Sequence, residues 1–203
     1  MPNITTMSKA MRKKTANIPQ DVLVRLGFDT AEYKFISDSH TFEKLVEIND
    51  LLTTEQKYAI MEQQGCHKSG KMDKESKDFG AEHSDKSLAE KLELLSANAD
   101  APCMNHDGTI SYAVRCFVHD SEKILDSCHC LRGNYKEEFL AFAKEHPDKI
   151  PSFMQFFCGC CAGHQKHHLQ NRLGVKLRLK SVDISSEETD RGRKQVFTYE
   201  IAE

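Results

Sequence analysis

The spacing of apolar residues predicts that the first half of the chain is mostly helical. A short helix is expected over residues 19–27, where aliphatic side chains share a face and a glycine stands at the end. A second helix is expected after Asp38. Residues 53–56 (TTEQ) and 87–90 (SLAE) each have the capping-box pattern, so each predicts a helix start. The first of these two helices should end at Gly65.

Two segments of this half lack apolar periodicity. Residues 1–16 are basic and polar, and we expect a mobile tail there. Residues 67–86 are rich in lysine, aspartate and serine and almost free of aliphatic side chains. This composition favours a long exposed loop or an ordered lid, and it does not predict which of the two forms.

Alternation of apolar and polar residues begins after Pro102 and indicates strands. Residues 110–118 alternate as in a half-buried strand and follow the turn signal Asp107-Gly108. Residues 123–128 are predicted to form a second, antiparallel strand.

Helices and a closing hairpin are predicted for the rest of the chain. One helix should run over residues 136–145, and another over residues 158–173 with a glycine as its stop. Residues 175–179 and 197–201 alternate on either side of the charged segment 184–194. This pattern predicts a hairpin with a solvated loop at its tip.

Together these elements predict an α+β fold in which helices cover an antiparallel sheet. Residues 17–100 form its mostly helical N-terminal part, and residues 101–203 form a cysteine-rich α+β part that binds a ligand or a metal. We expect the two parts to make one compact unit, because 203 residues suit one domain with additions.

Composition narrows the classes of function. Hydrophobic residues make up 39% of the chain and charged residues 29%, as in a globular protein. A net charge of −3 with mixed signs argues against a nucleic-acid partner. Because neither a membrane-spanning run nor the apolar core of a secretory signal is found, we expect a cytoplasmic protein with no membrane partner. A sheet edge or the N-terminal helices would suit a homodimer.

Cysteine and histidine residues cluster in one segment and indicate a metal site. In a reducing cytoplasm the eight cysteines point to metal binding, catalysis or packing rather than to disulfides. Residues 158–168 (CGCCAGHQKHH) contain three cysteines and three histidines, and Cys161, His164 and His168 share one helical stripe. Thiolate and imidazole are the ligands that zinc prefers. We therefore expect a zinc site formed by Cys128, Cys130, Cys158 and Cys161, with Cys160 and His164 in reserve.

This zinc would be structural, or it would keep an open position for a small-molecule ligand. The same side chains are also suited to nucleophilic catalysis. A thiolate at the start of a helix has a lowered pKa. Cys158 or Cys160 could thus be the nucleophile of a hydrolase or redox enzyme acting on a small molecule, with His164 as general base. In a third interpretation the domain binds a protein partner and the cysteines only pack, which is the role that we expect for Cys103 and Cys116.

A longer pattern in the C-terminal half carries a family resemblance. The run FCGCCAGHQKHHLQNRLGVKLRLKSVDIS, followed by QVFTYEI, contains a cysteine pair, a glycine, a helix, a turn into a strand and a final strand with an aromatic residue. The matching positions are Cys158, Cys160, Gly163, Leu173, Gly174, Val175 and Phe197. With Cys128-His129-Cys130 upstream, about half of the chain resembles the vinyl-reductase-like small-molecule-binding domains. Similar proteins include the amino-thiazoline-carboxylate hydrolase-like proteins and uncharacterised cysteine-rich clostridial and archaeal proteins.

The resemblance implies an α+β fold with an antiparallel sheet covered by helices. It also implies one of three activities: binding of a small hydrophobic ligand, binding of zinc by cysteines, or hydrolysis of a small amide-like bond by a cysteine. Many such proteins have a cysteine after a glycine in the last strand, whereas here Gly192 is followed by Arg193. The hydrolase interpretation therefore lacks a nucleophile at that position.

Overall fold

The computed structural model describes eight stretches of the chain: residues 17–25, 41–64, 70–97, 101–114, 128, 136–150, 159–189 and 192–202. Within them lie seven helices and four strands, which form an α+β fold as predicted. The helices are α1 (Gln20–Arg25), α2 (Thr41–Leu51), α3 (Thr54–Gln63), α4 (Lys71–Glu82), α5 (Leu88–Leu95), α6 (Lys136–Glu145) and α7 (Cys160–Leu173). The strands are β1 (Cys103–Met104), β2 (Ile110–Val114), β3 (Lys176–Thr189) and β4 (Gly192–Ala202). None of the helices in these stretches has the length and hydropathy that a membrane span requires.

The strands form one antiparallel sheet in the order β1-β2-β4-β3. β4 lies inside this sheet, where Phe197 is paired with Tyr112 of β2 and Tyr199 with Leu179 of β3. The alternating apolar residues of β4 therefore reach the same buried face as those of its neighbours.

The β3–β4 hairpin is longer than its sequence predicts. The expected loop over residues 184–194 is wrong, because β3 continues to Thr189 and β4 begins at Gly192. A register shift between Ile184 and Glu188 marks an irregularity in this outer arm. Residues 185–187 are exposed or half-buried, so no buried face imposes apolar alternation on the arm.

The outer edge of β3 is covered by polar side chains from two helices. Three backbone N–H groups along this edge each donate a hydrogen bond to a side-chain oxygen of α3 or α7. The donors and acceptors are Leu177 and Gln170 (2.8 Å), Leu179 and Glu62, and Val182 and Tyr58 (3.3 Å). These bonds satisfy edge groups that no neighbouring strand of the described sheet reaches.

Helix α7 belongs to the core beside the sheet. Its Ala162, Leu169 and Leu173 are buried in the same cluster as Phe197 and Tyr199 of β4. The Tyr199 hydroxyl donates a hydrogen bond to the carbonyl oxygen of Ala162 over 2.7 Å. Burial raises the pKa of Tyr199 well above its usual value, so this hydroxyl remains a donor at neutral pH.

Local signals for helix ends are confirmed. Thr53 and Ser87 both close capping boxes with the side chain three residues further on. Helix α7 ends at Leu173, and Gly174 takes the left-handed conformation with a φ of 75°. The buried Lys91 donates to the Leu173 carbonyl oxygen over 3.2 Å and so helps to complete this end of α7.

Helix α4 occupies most of the segment that we expected to be a loop. The prediction of a loop over residues 67–86 is wrong, since Lys71–Glu82 is helical. Among the residues of α4, Ser76 is the buried one, so the helix has no apolar stripe to reveal it. It lies directly against α7: a Cβ added to Gly80 would be 2.0 Å from the carbonyl oxygen of Asn171. Two helix backbones thus meet closely through a largely polar contact.

Some predictions concern residues outside the described stretches. These are the tail over residues 1–16, the end of the strand predicted over 110–118, and the strand over 123–128 except for Cys128. Cys116 also lies outside them. The packing role expected for Cys103 is wrong, because this residue is exposed in the short edge strand β1.

Candidate metal site

Three side chains that can bind a metal come together where α4 lies against α7. Asp73 of α4 and His167 and His168 of α7 each offer one ligand atom, and these atoms all lie within 4.8 Å of one another. Ligand bonds of 2.0–2.1 Å in a tetrahedral zinc site separate neighbouring ligand atoms by about 3.3 Å. A modest contraction of the group would therefore suit a metal ion.

Helix geometry explains why these residues meet. Asp73 and Ser76 are three residues apart and so lie on the same face of α4. His167 and His168 are neighbours on α7, and their rings stand edge to face with centroids 5.1 Å apart. The close backbone approach at Gly80 brings the polar face of α4 within hydrogen-bonding distance of both rings.

Asp73 is the anionic member of the group. Its Oδ1 lies 2.7 Å from Nε2 of His167, and its Oδ2 lies 2.7 Å from Nζ of Lys77. Hydrogen bonds from Lys77 and then from His167 hold the pKa of Asp73 below its usual range. The carboxylate is therefore ionised at neutral pH, and as an acceptor it requires His167 to carry its proton on Nε2 when no metal is bound.

Ser76 sets the tautomer of His168. The Ser76 hydroxyl donates to the backbone carbonyl oxygen of Asp73 over 2.8 Å, and it lies 3.1 Å from Nδ1 of His168. With the hydroxyl hydrogen directed to the carbonyl oxygen, Nδ1 of His168 is the donor in this second bond. In a neutral His168 ring the lone pair is then on Nε2, which is the form that binds metals.

Further polar groups surround the three candidate ligands. The Asn171 amide nitrogen lies 3.3 Å from the Ser76 hydroxyl oxygen and 3.4 Å from Oδ1 of Asp73. The ring of His164 packs edge to face on that of His168, with centroids 4.6 Å apart. Metal ligands in proteins are usually oriented by such a second layer of contacts.

The zinc site predicted from the cysteines is only partly covered by the described residues. Cys128 and Cys160 are buried and Cys161 is half-buried, while Cys130 and Cys158 lie outside the described stretches. Where the chain is described, no group of three potential ligands at metal-binding spacing includes a cysteine. The four-cysteine site therefore stays a prediction.

The surroundings of Cys160 do not favour a reactive thiol. Cys160 is the first residue of α7 and is only 3% exposed, and its reserve partner His164 is also buried. Reactive cysteines are partly exposed as well as acidified, because a substrate must reach the sulfur. Cys158, the other nucleophile candidate, lies outside the described stretches.

A cleft of about 700 Å³ lies between α3 and the strands β3 and β4. Its walls include Glu62, Arg178 and Glu200. These charges bind one another or nearby groups: Arg178 pairs with Glu200, and Glu62 pairs with Lys166 over 3.2 Å as well as with the edge of β3. The cleft thus offers a ligand fewer uncommitted polar groups than its composition suggests.

Two of the three candidate ligands were missed at the level of sequence. His168 belongs to the predicted stripe of α7, but Asp73 and His167 were not considered as ligands. The spacing of Asp73 and Ser76, in a segment of helix-forming residues without proline, was the available signal. Because α4 has no apolar periodicity, the sequence did not indicate a helix there, and the spacing of these two residues had no evident meaning.

Searches against protein-family models, curated proteins and solved structures find no match for this chain. The resemblance to the vinyl-reductase-like domains consequently stays a prediction.

Proposed function

We propose that this protein binds a divalent transition metal, with zinc as the first choice, through Asp73, His167 and His168. The observation that supports the proposal best is the spacing of the three ligand atoms, all within 4.8 Å of one another. One carboxylate and two imidazoles form a ligand set that suits zinc and its first-row neighbours.

The protonation states support the same proposal. Asp73 is ionised, and Ser76 directs the lone pair of His168 to Nε2. Binding requires that a metal replace the proton between Asp73 and His167, a cost that is common to imidazole ligands. Two of the three ligands are thus already in the chemical form that a metal needs.

A metal here would also join two helices. Ser76 is the buried residue of α4 and Phe79 is half-buried against the core, so polar contacts make up much of what holds this helix against α7. Because Asp73 comes from one helix and the histidines from the other, the free energy of metal binding would stabilise their contact. We therefore propose a metal-binding module in which the ion holds α4 against α7.

The test is zinc binding by calorimetry and by elemental analysis of the purified full chain under reducing conditions. The wild type should bind one zinc ion more per chain than the double variant Asp73→Asn/His167→Gln. A matched control is His106→Gln, which removes an exposed histidine from the turn before β2. This control should bind as much zinc as the wild type.

Cysteine variants separate this site from the predicted four-cysteine site. If Cys161→Ser removes the bound zinc and Asp73→Asn/His167→Gln retains it, the metal is held by thiolates and the proposal is wrong. Wild-type protein that binds no zinc at micromolar concentration would refute both sites.

A further inference from the structure

We infer that the metal bound by Asp73, His167 and His168 keeps one exchangeable coordination position, and that this position takes a small oxyanion, a carboxylate or a phosphate, with Lys77 as its cationic partner. The inference rests on the proposed function and adds the class of ligand to it.

The number of protein ligands indicates the open position. Zinc sites with four protein ligands are structural, whereas sites with three leave the fourth position for water or another ligand. Throughout the described stretches, the group at α4 and α7 has three members, and no fourth histidine, cysteine, aspartate or glutamate joins it.

Burial indicates the direction from which a ligand would approach. His168 is only 2% exposed, and Ser76 is fully buried beside it. The side chains of Asp73 and His167 are 15% and 28% exposed. One side of the group is therefore closed by protein, and the side formed by Asp73 and His167 faces solvent.

Charge selects the kind of ligand. A divalent ion held by one carboxylate and two neutral imidazoles keeps a net charge of about +1. Lys77 adds a positive charge on the solvent side, since its Nζ lies 2.7 Å from Oδ2 of Asp73 and its side chain is 59% exposed. An ammonium group has three N–H donors, so Lys77 can keep its bond to Asp73 and also donate to an oxyanion on the metal.

The positions of the metal and of Lys77 limit the size of the oxyanion. The oxyanion must reach the metal and Lys77 together, which the two oxygens of a carboxylate or phosphate can do at hydrogen-bonding and coordination distances. A neutral amide of the same shape lacks the charge and should bind more weakly.

The test uses cobalt(II), which takes tetrahedral nitrogen and oxygen sites like those of zinc and whose visible absorption reports its ligands. The Co(II)-loaded full chain is titrated with acetate and with inorganic phosphate at constant ionic strength, and with acetamide as the neutral control. The anions should change the visible spectrum in a saturable manner, and acetamide should not.

The variant Lys77→Met should weaken the affinity for the anions about fivefold, as expected for the loss of one unit charge at close range in a solvent-exposed site. Lys71→Met is the matched control, because Lys71 is an exposed lysine of the same helix that pairs with Glu75 instead. It should leave the anion affinity unchanged.

The possible failures are distinguishable. If the wild type does not bind Co(II) and zinc at this site, the proposed function is wrong. If Co(II) binds and its spectrum is the same with and without both anions, a fourth protein ligand closes the site and the inference is overturned. If the anions bind Lys77→Met as tightly as the wild type, the assignment of Lys77 is overturned.

Discussion

Replacing Gly80 with alanine perturbs the contact between α4 and α7 on which the candidate site depends. In the interior of an ordinary helix this change is stabilising by about 1 kcal/mol, because glycine has the greater backbone freedom when unfolded. Here the added Cβ would lie 2.0 Å from the carbonyl oxygen of Asn171 and 3.1 Å from its carbonyl carbon. Carbon and oxygen atoms in contact are normally more than about 3 Å apart, so the two helices must separate by about 1 Å.

The clash should outweigh the gain in helix propensity. Overpacking of this kind costs about 1–3 kcal/mol. We therefore expect Gly80→Ala to lower the free energy of unfolding by about 1 kcal/mol, which for a chain of this size lowers Tm by about 2–4 °C. A separation of about 1 Å would also break the 2.7 Å bond between Asp73 and His167, so zinc affinity should fall about tenfold or more.

Chemical denaturation and zinc calorimetry measure the two effects. The matched control is Asp78→Ala, an exposed position of the same helix where the substitution adds helix propensity without meeting α7. It should be neutral or slightly stabilising and should leave zinc binding unchanged. If Gly80→Ala is as stable as Asp78→Ala and binds zinc like the wild type, the described contact between the helices is wrong.

Three further predictions concern a buried hydrogen bond, a surface carboxylate and removal of the metal. Tyr199→Phe removes the buried bond to the Ala162 carbonyl oxygen and should lower the free energy of unfolding by about 1 kcal/mol in urea titrations; an unchanged midpoint would contradict that bond. The pKa of Asp107 is far below its usual value, because the Thr109 hydroxyl and then Lys180 hydrogen-bond its carboxylate. Its contribution to stability is therefore present above pH ~4 and is lost as the pH falls further, so Asp107→Asn should flatten the acid side of a stability–pH curve, and equal slopes would count against it. Finally, a chelator added to the zinc-loaded protein should speed amide hydrogen exchange in α4 more than in α3, and equal changes would argue against a metal that joins α4 to α7.

Local chemistry in the sequence was enough to predict much of the fold. The capping boxes at Thr53 and Ser87, the glycine stop at Gly174 and the alternation in β2 and β4 each depend on a few neighbouring residues. Such signals act over one helical turn or one strand face, so they can be found without knowing the tertiary contacts.

Helix α4 was unpredictable for a physical reason. Its position depends on contacts with α7, about 90 residues further along the chain, through Gly80, Ser76 and Asp73. Apolar periodicity detects helices that bury an apolar stripe, and this helix presents polar groups to its partner instead. The same limit applies to the candidate site. The histidines are visible in the sequence as a cluster, but their carboxylate partner cannot be identified until the position of α4 is known.

The covered edge of β3 has a consequence for assembly. Open amides at a sheet edge recruit extended segments of other molecules, which is how edge-to-edge aggregation and fibril growth begin. Between Leu177 and Val182, three backbone N–H groups that could pair with an added strand already donate to side-chain oxygens of the same molecule. Self-association by strand addition along this stretch would first require α3 and α7 to release the strand, and that requirement protects the folded protein from polymerising through it.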